Sequence, residues 1–212
     1  MDAKTKYKNY WKNERAADIG RYQSTLRFVN FSGKRCLDVG GAPGVFAKML
    51  AERGNEVVVV DASEAGVQKA RDRGVRAYLV DVSTEGLPFE DDSFDAVFCL
   101  ETLEHLENPS FCIKEIKRVL KPDSPLICSI PNTRRKHEYI HPELFTWNGF
   151  SVFLKSSGFR IANYEGYFFF HGSLFLPAQV RNWIGDHYRC LAGCWMFQAI
   201  HMKQKLQKQN KS

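Results

Sequence analysis

Short apolar segments alternate with longer amphipathic segments along the first 130 residues of the chain. The five apolar segments are bounded by turn residues and read, in order, CLDVG, EVVVVD, VRAYLV, FDAVFCL and PLICSI. Amphipathic segments of helical length lie between them, at residues 43–53, 63–73 and 108–120. Strands that alternate with helices predict right-handed crossovers and a parallel sheet, so the pattern indicates a doubly wound α/β fold.

The remainder of the chain predicts one more helix and two more strands. Residues 145–157 have a helical pattern that Gly158 would close as a C-cap. The segments FRIANYEGYFFF and CLAGCWMFQAIHMK are typical of strands, and residues 177–188 between them form a candidate helix. The prediction is a Rossmann-like, mostly parallel, seven-stranded sheet with helices on both faces and an N-terminal helical cap.

Length and charge suggest how the chain is divided. At 212 residues it fits one domain of ordinary size. Of the net charge of +6, residues 1–15 carry +3 and residues 203–212 carry +4, which leaves −1 for residues 16–202. We therefore expect a helical cap over residues 1–30, a binding domain over residues 31–202 and a basic, disordered tail over residues 203–212. A nucleic-acid groove is not indicated.

The chain is expected to be a soluble cytoplasmic protein. Its apolar segments are shorter than the ~20 residues that span a bilayer, and its first residues lack an apolar signal-peptide core. Its six cysteines are scattered, which favours buried thiols in a reducing compartment over a disulfide framework. A redox or metal pair formed by Cys190 and Cys194 is the less favoured alternative.

In a doubly wound sheet the ligand binds beyond the carboxyl ends of the strands, and two acids stand at such ends. Asp38 begins the glycine-rich segment DVGGAPG after the first strand, and Asp61 ends the second strand, 21 positions after Gly40. An acid at about this separation reaches the ribose hydroxyls of an adenosine cofactor. The dinucleotide fingerprint requires glycines at the third and sixth positions from Gly40, where this chain has Ala42 and Val45.

These residues resemble the first motif of the class I S-adenosylmethionine-dependent methyltransferases, acid-x-Gly-x-Gly-x-Gly. Asp38, Gly40 and Gly44 match that motif, and Ala42 replaces its middle glycine. The similarity continues through Asp61, Asp81 and the segments LPFEDDSFDAVFCLETLEHLENP and KEIKRVLKPDSPLICSIPN. The chain is similar to the broad type that includes the ubiquinone-biosynthesis O-methyltransferases.

The resemblance implies S-adenosylmethionine as the cofactor and assigns binding roles along the four strand ends. Asp38 would orient the methionine ammonium, the loop backbone would line the methionine, and Asp61 would bind the ribose. Asp81 would bind the adenine amino group and the Val82 amide a ring nitrogen. The residues expected to bind the cofactor are Asp38, Gly40, Gly41, Ala42, Gly44, Asp61, Ala62, Asp81, Val82 and Glu101.

The segment after the fourth strand supplies candidate catalytic residues. On a helical turn Glu101, Glu104 and His105 would share one face, because they are spaced i, i+3 and i+4. With His141, and with His137 as an additional candidate, they could hold a divalent cation, and the small-RNA 2′-O-methyltransferases have a resembling arrangement. The alternative is a metal-free site in which His105 or His141 acts as a base, with Glu104 nearby. We favour the metal-free site.

Aromatic residues near both ends of the chain would suit a cap over the acceptor. They are Tyr7, Tyr10, Trp11, Tyr167, Phe168, Phe169, Phe170, Phe175 and Trp183. In the resembled family such segments cover the acceptor pocket, although strand core is the favoured explanation for half of the phenylalanines. The leading hypothesis is methyl transfer to a small molecule, at oxygen. The alternatives are methylation of RNA or protein and a non-catalytic binding module. The sequence indicates neither the acceptor nor the oligomeric state.

Overall fold

A computed structural model describes residues 3–7, 11, 19–131, 146–167 and 194–202 of the chain. The helices and strands in these residues follow one another as α1 Ala3–Tyr7, α2 Ile19–Phe28, β1 Arg35–Val39, α3 Val45–Ala51, β2 Glu56–Asp61, α4 Glu64–Asp72, β3 Arg76–Leu79, β4 Ala96–Leu100, a 3₁₀ turn Leu103–His105, α5 Pro109–Val119, β5 Pro125–Pro131, α6 Trp147–Ser156, β6 Phe159–Tyr167 and β7 Cys194–His201.

The described strands form one seven-stranded sheet in the order β3-β2-β1-β4-β5-β7-β6. The five strands from β3 to β5 are parallel, whereas β7 runs antiparallel to both β5 and β6. The doubly wound, mostly parallel sheet predicted from the apolar segments is therefore confirmed. The sequence left open where the two late strands would lie, and the structure places β7 between β5 and β6.

Two apolar cores cover the two faces of this sheet. On one face α2, α3 and α4 bury side chains such as Leu26, Phe46 and Val67 against β1 and β2. On the other face α5 and α6 bury side chains such as Ile116 and Phe150. Alternate residues of each central strand enter opposite cores, which explains why EVVVVD and FDAVFCL are almost continuously apolar.

Local capping residues fix the helix ends close to their predicted positions. The side chains of Ser63, Asn108 and Thr146 accept the backbone N–H three residues later, at the starts of α4, α5 and α6. Gly158 follows α6 with a φ of 85°, as its predicted capping role requires. Pro43 does not begin α3, which starts at Val45 after Gly44.

Several predictions lie outside the described residues, namely those for His137, His141, Cys190, the helix at 177–188 and the tail at 203–212. Within the described residues Cys36, Cys99, Cys112 and Cys128 are buried, free thiols, as expected. No helix in that part of the chain is both long and apolar enough to cross a membrane.

Candidate functional site

The candidate site lies where the strand order reverses, between the carboxyl ends of β1 and β4. From β1 the chain proceeds outward to β2 and β3, and it then returns to the other side of β1 as β4. The connections after β1 and after β4 leave the sheet in opposite directions, which opens a crevice at this point. Asp38 lies in β1 and Asp61 ends β2 on the same edge of the sheet.

The turn after β1 is shaped by close backbone packing. Gly40 has a φ of 70° and its N–H donates to Val60 O at 2.8 Å. A Cβ at residue 40 would clash with Thr102, whose hydroxyl donates to Val39 O at 3.2 Å. A Cβ at residue 41 would clash with the Asp38 carboxyl group. The loop that follows β1 is therefore held against the segment that follows β4.

Asp61 ties this loop to the start of α4. Its Oδ2 accepts the Ala42 N–H at 3.1 Å and its Oδ1 accepts the Ser63 N–H at 2.8 Å. Burial raises the pKa of Asp61 to about 6, although the backbone hydrogen bonds from Ser63, Ala42 and Ala62 act in the opposite direction. The carboxyl group is thus fixed in orientation at the edge of the crevice.

Asp38 is buried without a full set of partners. It is 2% exposed, and its Oδ2 has no hydrogen-bond partner within the part of the chain that the structure describes. Burial, and next the charge of Asp61, raise the pKa of Asp38 to about 8. A buried acceptor of this kind is costly unless a ligand completes it, and a ligand cation would do so.

Ala42, the residue that departs from the resembled motif, packs against α4. Its side chain is buried, and a Cβ at Gly66 would approach the Ala42 Cβ to 2.6 Å and Trp11 Cδ1 to 2.5 Å. The methyl group of Ala42 thus occupies space that Gly66 leaves open. Gly44 makes a second close approach, to Ala70 of the same helix.

The segment after β3 carries the next pair of predicted residues. Asp81 and Val82 lie just beyond the end of β3 at Leu79, and both are buried. Asp81 Oδ1 accepts the Ser83 N–H at 2.9 Å. Glu85 accepts the Asp81 N–H at 3.3 Å and forms an ion pair with Lys4 at 2.7 Å. Helix α1 is thereby attached beside this part of the crevice.

At the end of β4 the backbone of Glu101 is in a strained conformation. Its φ is 51°, which a residue with a side chain rarely adopts. Its N–H donates to both the carbonyl and the hydroxyl of Ser129, at 3.2 and 3.1 Å. Its carboxylate forms an ion pair with Arg21 of α2, Nη1 to Oε2 at 3.5 Å.

The prediction that Glu101, Glu104 and His105 share one helical face is wrong. A single 3₁₀ turn covers Leu103–His105, and the left-handed φ of Glu101 places it outside any helix. The Glu104 side chain is 2% exposed, whereas that of His105 is 52% exposed, with Nε2 4.0 Å from Glu104 Oε1. Burial, and next the charge of Glu101, hold the pKa of Glu104 well above its usual range.

The described residues do not by themselves form a divalent-cation site at this place. The Glu101 carboxylate faces the guanidinium of Arg21, and the Glu104 carboxyl group is held inside the protein. Among the described residues no three His, Cys, Asp or Glu side chains are grouped as metal ligands. His141, the remaining predicted ligand, lies outside them.

Sequence reasoning missed the residues that reach this site from elsewhere in the chain. Arg21, Ser129 and Lys4 contact Glu101 or Glu85 across long sequence separations, and no spacing rule would indicate them. For Trp11 there was a signal, because the aromatic residues of the N-terminal segment suggested a cap.

Known proteins resemble the chain over this same region. Residues 37–128 match the family model of a methyltransferase domain. The ubiquinone biosynthesis O-methyltransferase of Pseudomonas fluorescens (strain SBW25) is 35% identical over 113 residues, which are 51% of this chain and 49% of the relative. The match spans about half the length of the relative. It therefore shows that the two proteins share this domain and shows nothing about the rest of the relative.

Solved structures extend the likeness to most of the chain. A methyltransferase from Haloferax volcanii, in complex with the Trm112 methyltransferase activator, has a TM-score of 0.67 at 19% identity and covers 86% of this chain and 88% of its own. The [4+2]-cyclase SpnF has a TM-score of 0.65 at 20% identity and covers 91% of this chain and 85% of its own. At such identities the likeness shows the fold alone, the Rossmann-like fold of these enzymes.

The crevice fits S-adenosylmethionine, the cofactor of this domain family. The buried Asp38 Oδ2, which has no hydrogen-bond partner among the described residues, fits the cofactor's ammonium group. Asp61 lies at the end of β2 and Asp81 lies just after β3, which are the next two strands outward from β1. Ribose and adenine would follow the methionine in the same order.

Proposed function

Since this chain belongs to the class I S-adenosylmethionine-dependent methyltransferases, we propose that it transfers a methyl group to an oxygen of a small-molecule acceptor. The observation that carries the proposal is the buried Asp38 carboxyl group, which faces the turn at the strand-order reversal and has one oxygen without a partner in the described part of the chain. Such a group destabilises the unliganded protein and is compensated by a cationic ligand.

The residues divide into binding and catalytic roles. Asp38 would hold the ammonium, the Gly40–Gly44 backbone the methionine, Asp61 with Ala62 the ribose, and Asp81 with Val82 the adenine. When bound, the cofactor supplies a methyl group on a sulfonium, and the acceptor oxygen attacks it in line, which leaves a neutral thioether. The chain's contribution is to position the two reactants and to exclude water.

A base is needed if the acceptor is a hydroxyl group, because its proton must leave as the carbon–oxygen bond forms. His105 is the described candidate, since its side chain is half exposed beside the crevice segment Glu101–Thr102. His141 is a further candidate outside the described residues. Glu104 was also predicted to be catalytic, but its burial favours a supporting role behind His105.

The acceptor class is proposed from the relatives. The similarity to ubiquinone biosynthesis O-methyltransferases covers half of their length, and it favours oxygen over nitrogen or carbon as the methylated atom. The near-neutral charge of residues 16–202 favours a small molecule over RNA. The cytoplasm stays the predicted location.

Cofactor binding is the first test. We expect calorimetry to detect S-adenosylhomocysteine binding, and Asp61→Ala to weaken it by ~1–3 kcal/mol, because charge-assisted hydrogen bonds to the ribose are lost. Asp72→Ala, which removes an exposed carboxylate from the same region, is the matched control and should leave binding unchanged. Equal affinity in the wild type and Asp61→Ala would contradict the assignment.

The second test follows the methyl group. Radiolabelled S-adenosylmethionine is incubated with the protein and with phenols and catechols, with and without prenyl chains, and separately with short RNA and a peptide library. We expect label on the hydroxyl compounds. Label on RNA or peptide instead would contradict the small-molecule acceptor. Binding without transfer to any of these acceptors would favour a non-catalytic module.

A further inference from the structure

Three ionisable side chains lie near one another at the end of β4. The Arg21 guanidinium lies 3.5 Å from Glu101 Oε2, and both side chains are more than four-fifths buried. Glu101 and Arg21 also act on the buried Glu104, the carboxylate by raising its pKa and the guanidinium by lowering it. The three side chains therefore form one electrostatic unit, although Arg21 belongs to α2 and the two acids follow β4.

The unit stands beside the turn that follows β1. Thr102, the residue after Glu101, bonds to Val39 O and contacts Gly40. The strained φ of Glu101 and the two hydrogen bonds from its N–H to Ser129 fix the direction in which its side chain leaves the strand. A carboxylate so placed lies beside the turn that would line the methionine.

We propose that Arg21 is a positioning residue of the methyl-transfer site: it holds and neutralises the Glu101 carboxylate at the end of β4. The inference rests on the proposed function, because it concerns the cofactor end of the same crevice. It makes α2 a part of the site rather than only a cover for it.

The physical reason is the charge that methyl transfer removes. The cofactor carries a positive sulfur before transfer and a neutral sulfur after it. An unbalanced carboxylate nearby would stabilise the charged ground state more than the transition state, and this would slow the reaction. A guanidinium paired with that carboxylate offsets its charge, so that the ground state is no longer stabilised more than the transition state. The pair is largely shielded from water, so its charges act over a longer range than they would in solvent.

The test compares the affinities for S-adenosylmethionine and S-adenosylhomocysteine, which differ in the charge on sulfur. Calorimetry is carried out on the wild type, Arg21→Met, Arg21→Lys, Glu101→Gln and the double variant Arg21→Met/Glu101→Gln. The affinity ratio, which is the affinity for S-adenosylmethionine divided by that for S-adenosylhomocysteine, should be on the order of fivefold higher in Arg21→Met than in the wild type. Glu101→Gln should shift the ratio in the opposite direction, because it leaves the guanidinium unbalanced.

Arg21→Lys and the double variant should both return the ratio toward the wild-type value, since each restores the balance of charge. Arg27→Met, which removes a guanidinium that bonds to Ser24 on the same helix, is the control and should not change the ratio. If Arg21→Met does not fold, two other variants test the inference. The affinity ratio should fall in Glu101→Gln and should return toward the wild-type value in the double variant Glu101→Gln/Arg21→Gln.

Equal loss of both affinities in Arg21→Met, or an unchanged ratio in both single variants, would overturn the inference, because Arg21 would then be only a packing residue. A metal bound by Glu101 would also overturn the inference. In that case chelator would change the affinity ratio of the wild type, Mn²⁺ would restore it, and neither would affect Glu101→Gln. Failure of the wild type to bind either compound would instead overturn the proposed function.

Discussion

Two carboxyl groups, those of Asp38 and Asp61, are buried at neighbouring strand ends where water cannot solvate their charges. Both pKa values lie above the ordinary range, so the folded, unliganded protein binds protons that the unfolded chain releases. For Asp38 the window runs from the ordinary value of 3.8 up to about 8. Within this window the free energy of unfolding falls as the pH rises.

We therefore expect Asp38→Asn to gain stability relative to the wild type as the pH rises from 5 to 8. The difference should grow by up to about 1.4 kcal/mol per pH unit, the limit for one titrating group. Thermal melts at matched pH values measure it, and the same variant should lose most of its affinity for S-adenosylhomocysteine. A difference in melting temperature that stays constant over this range would show that Asp38 does not titrate there.

His105 allows the metal-free site to be tested by turnover. If it is the base, His105→Ala should lower the methyl-transfer rate by ~10²–10⁴, with partial recovery at higher pH where the acceptor ionises unaided. Chelator should leave the wild-type rate unchanged. His201→Gln serves as the control, because His201 contacts Leu120 O at the other end of β5. Turnover that stops with chelator and returns with Mg²⁺ would exclude this mechanism.

The loop and strand-end acids of the site could be predicted from the sequence, because each follows an apolar segment directly. The arrangement after β4 could not. Its direction depends on a left-handed φ at Glu101, which the i, i+3, i+4 spacing gives no reason to expect. The partners of Glu101 come from α2 and β5, and contacts at such separations leave no periodic signal.

Among the elements, α4 has the closest relation to the turn after β1. Gly66 in its first turn leaves room for both Ala42 and Trp11. The Trp11 side chain can therefore lie against the helix and the loop at the same point. Small residues at 42 and 66 are complementary, which gives a physical account of the alanine that replaces the motif's middle glycine.

Gly66→Ala should destabilise the protein by ~1–3 kcal/mol, because the added methyl group overpacks this contact. The melting temperature should recover in part when Ala42→Gly is added and further when Trp11→Ala is added. Gln68→Ala, an exposed change on the same helix, is the control. A stable Gly66→Ala variant with unchanged cofactor affinity would show that the contact is loose.

Most strands and helices were predictable to within two residues at their ends, since their apolar periodicity and capping residues agree. The segment EVVVVD coincides with β2 at both ends. Asn108 and Leu120, the ends of the predicted helix, flank α5. The pairing of the last strands was not predictable. Alternation specifies which face of a strand is buried, but not which neighbours it takes.

For the molecule as a whole, the division into residues 1–30, 31–202 and 203–212 stays a prediction that two truncations test. Removal of residues 1–11 should weaken S-adenosylhomocysteine binding by about tenfold, ~1.4 kcal/mol, since it removes Trp11 and the Lys4–Glu85 ion pair beside the crevice. Removal of residues 203–212 should change neither the affinity nor the melting temperature, because a polar tail buries little. Calorimetry and thermal melts on both forms provide the comparison. A large fall in melting temperature without the tail would show that it docks.

The position of β7 between β5 and β6 also has a consequence for biosynthesis. During translation the five parallel strands are complete once residue 131 has left the ribosome, yet within the described sheet the outer edge of β5 gains its neighbour when residues 194–201 follow. At a synthesis rate of ~5–20 residues per second, the nascent chain presents an open, apolar sheet edge for several seconds. Open edges of this kind pair readily with other chains. The demand for chaperones should therefore be greatest just before β7 emerges, and it should end when β7 inserts between β5 and β6.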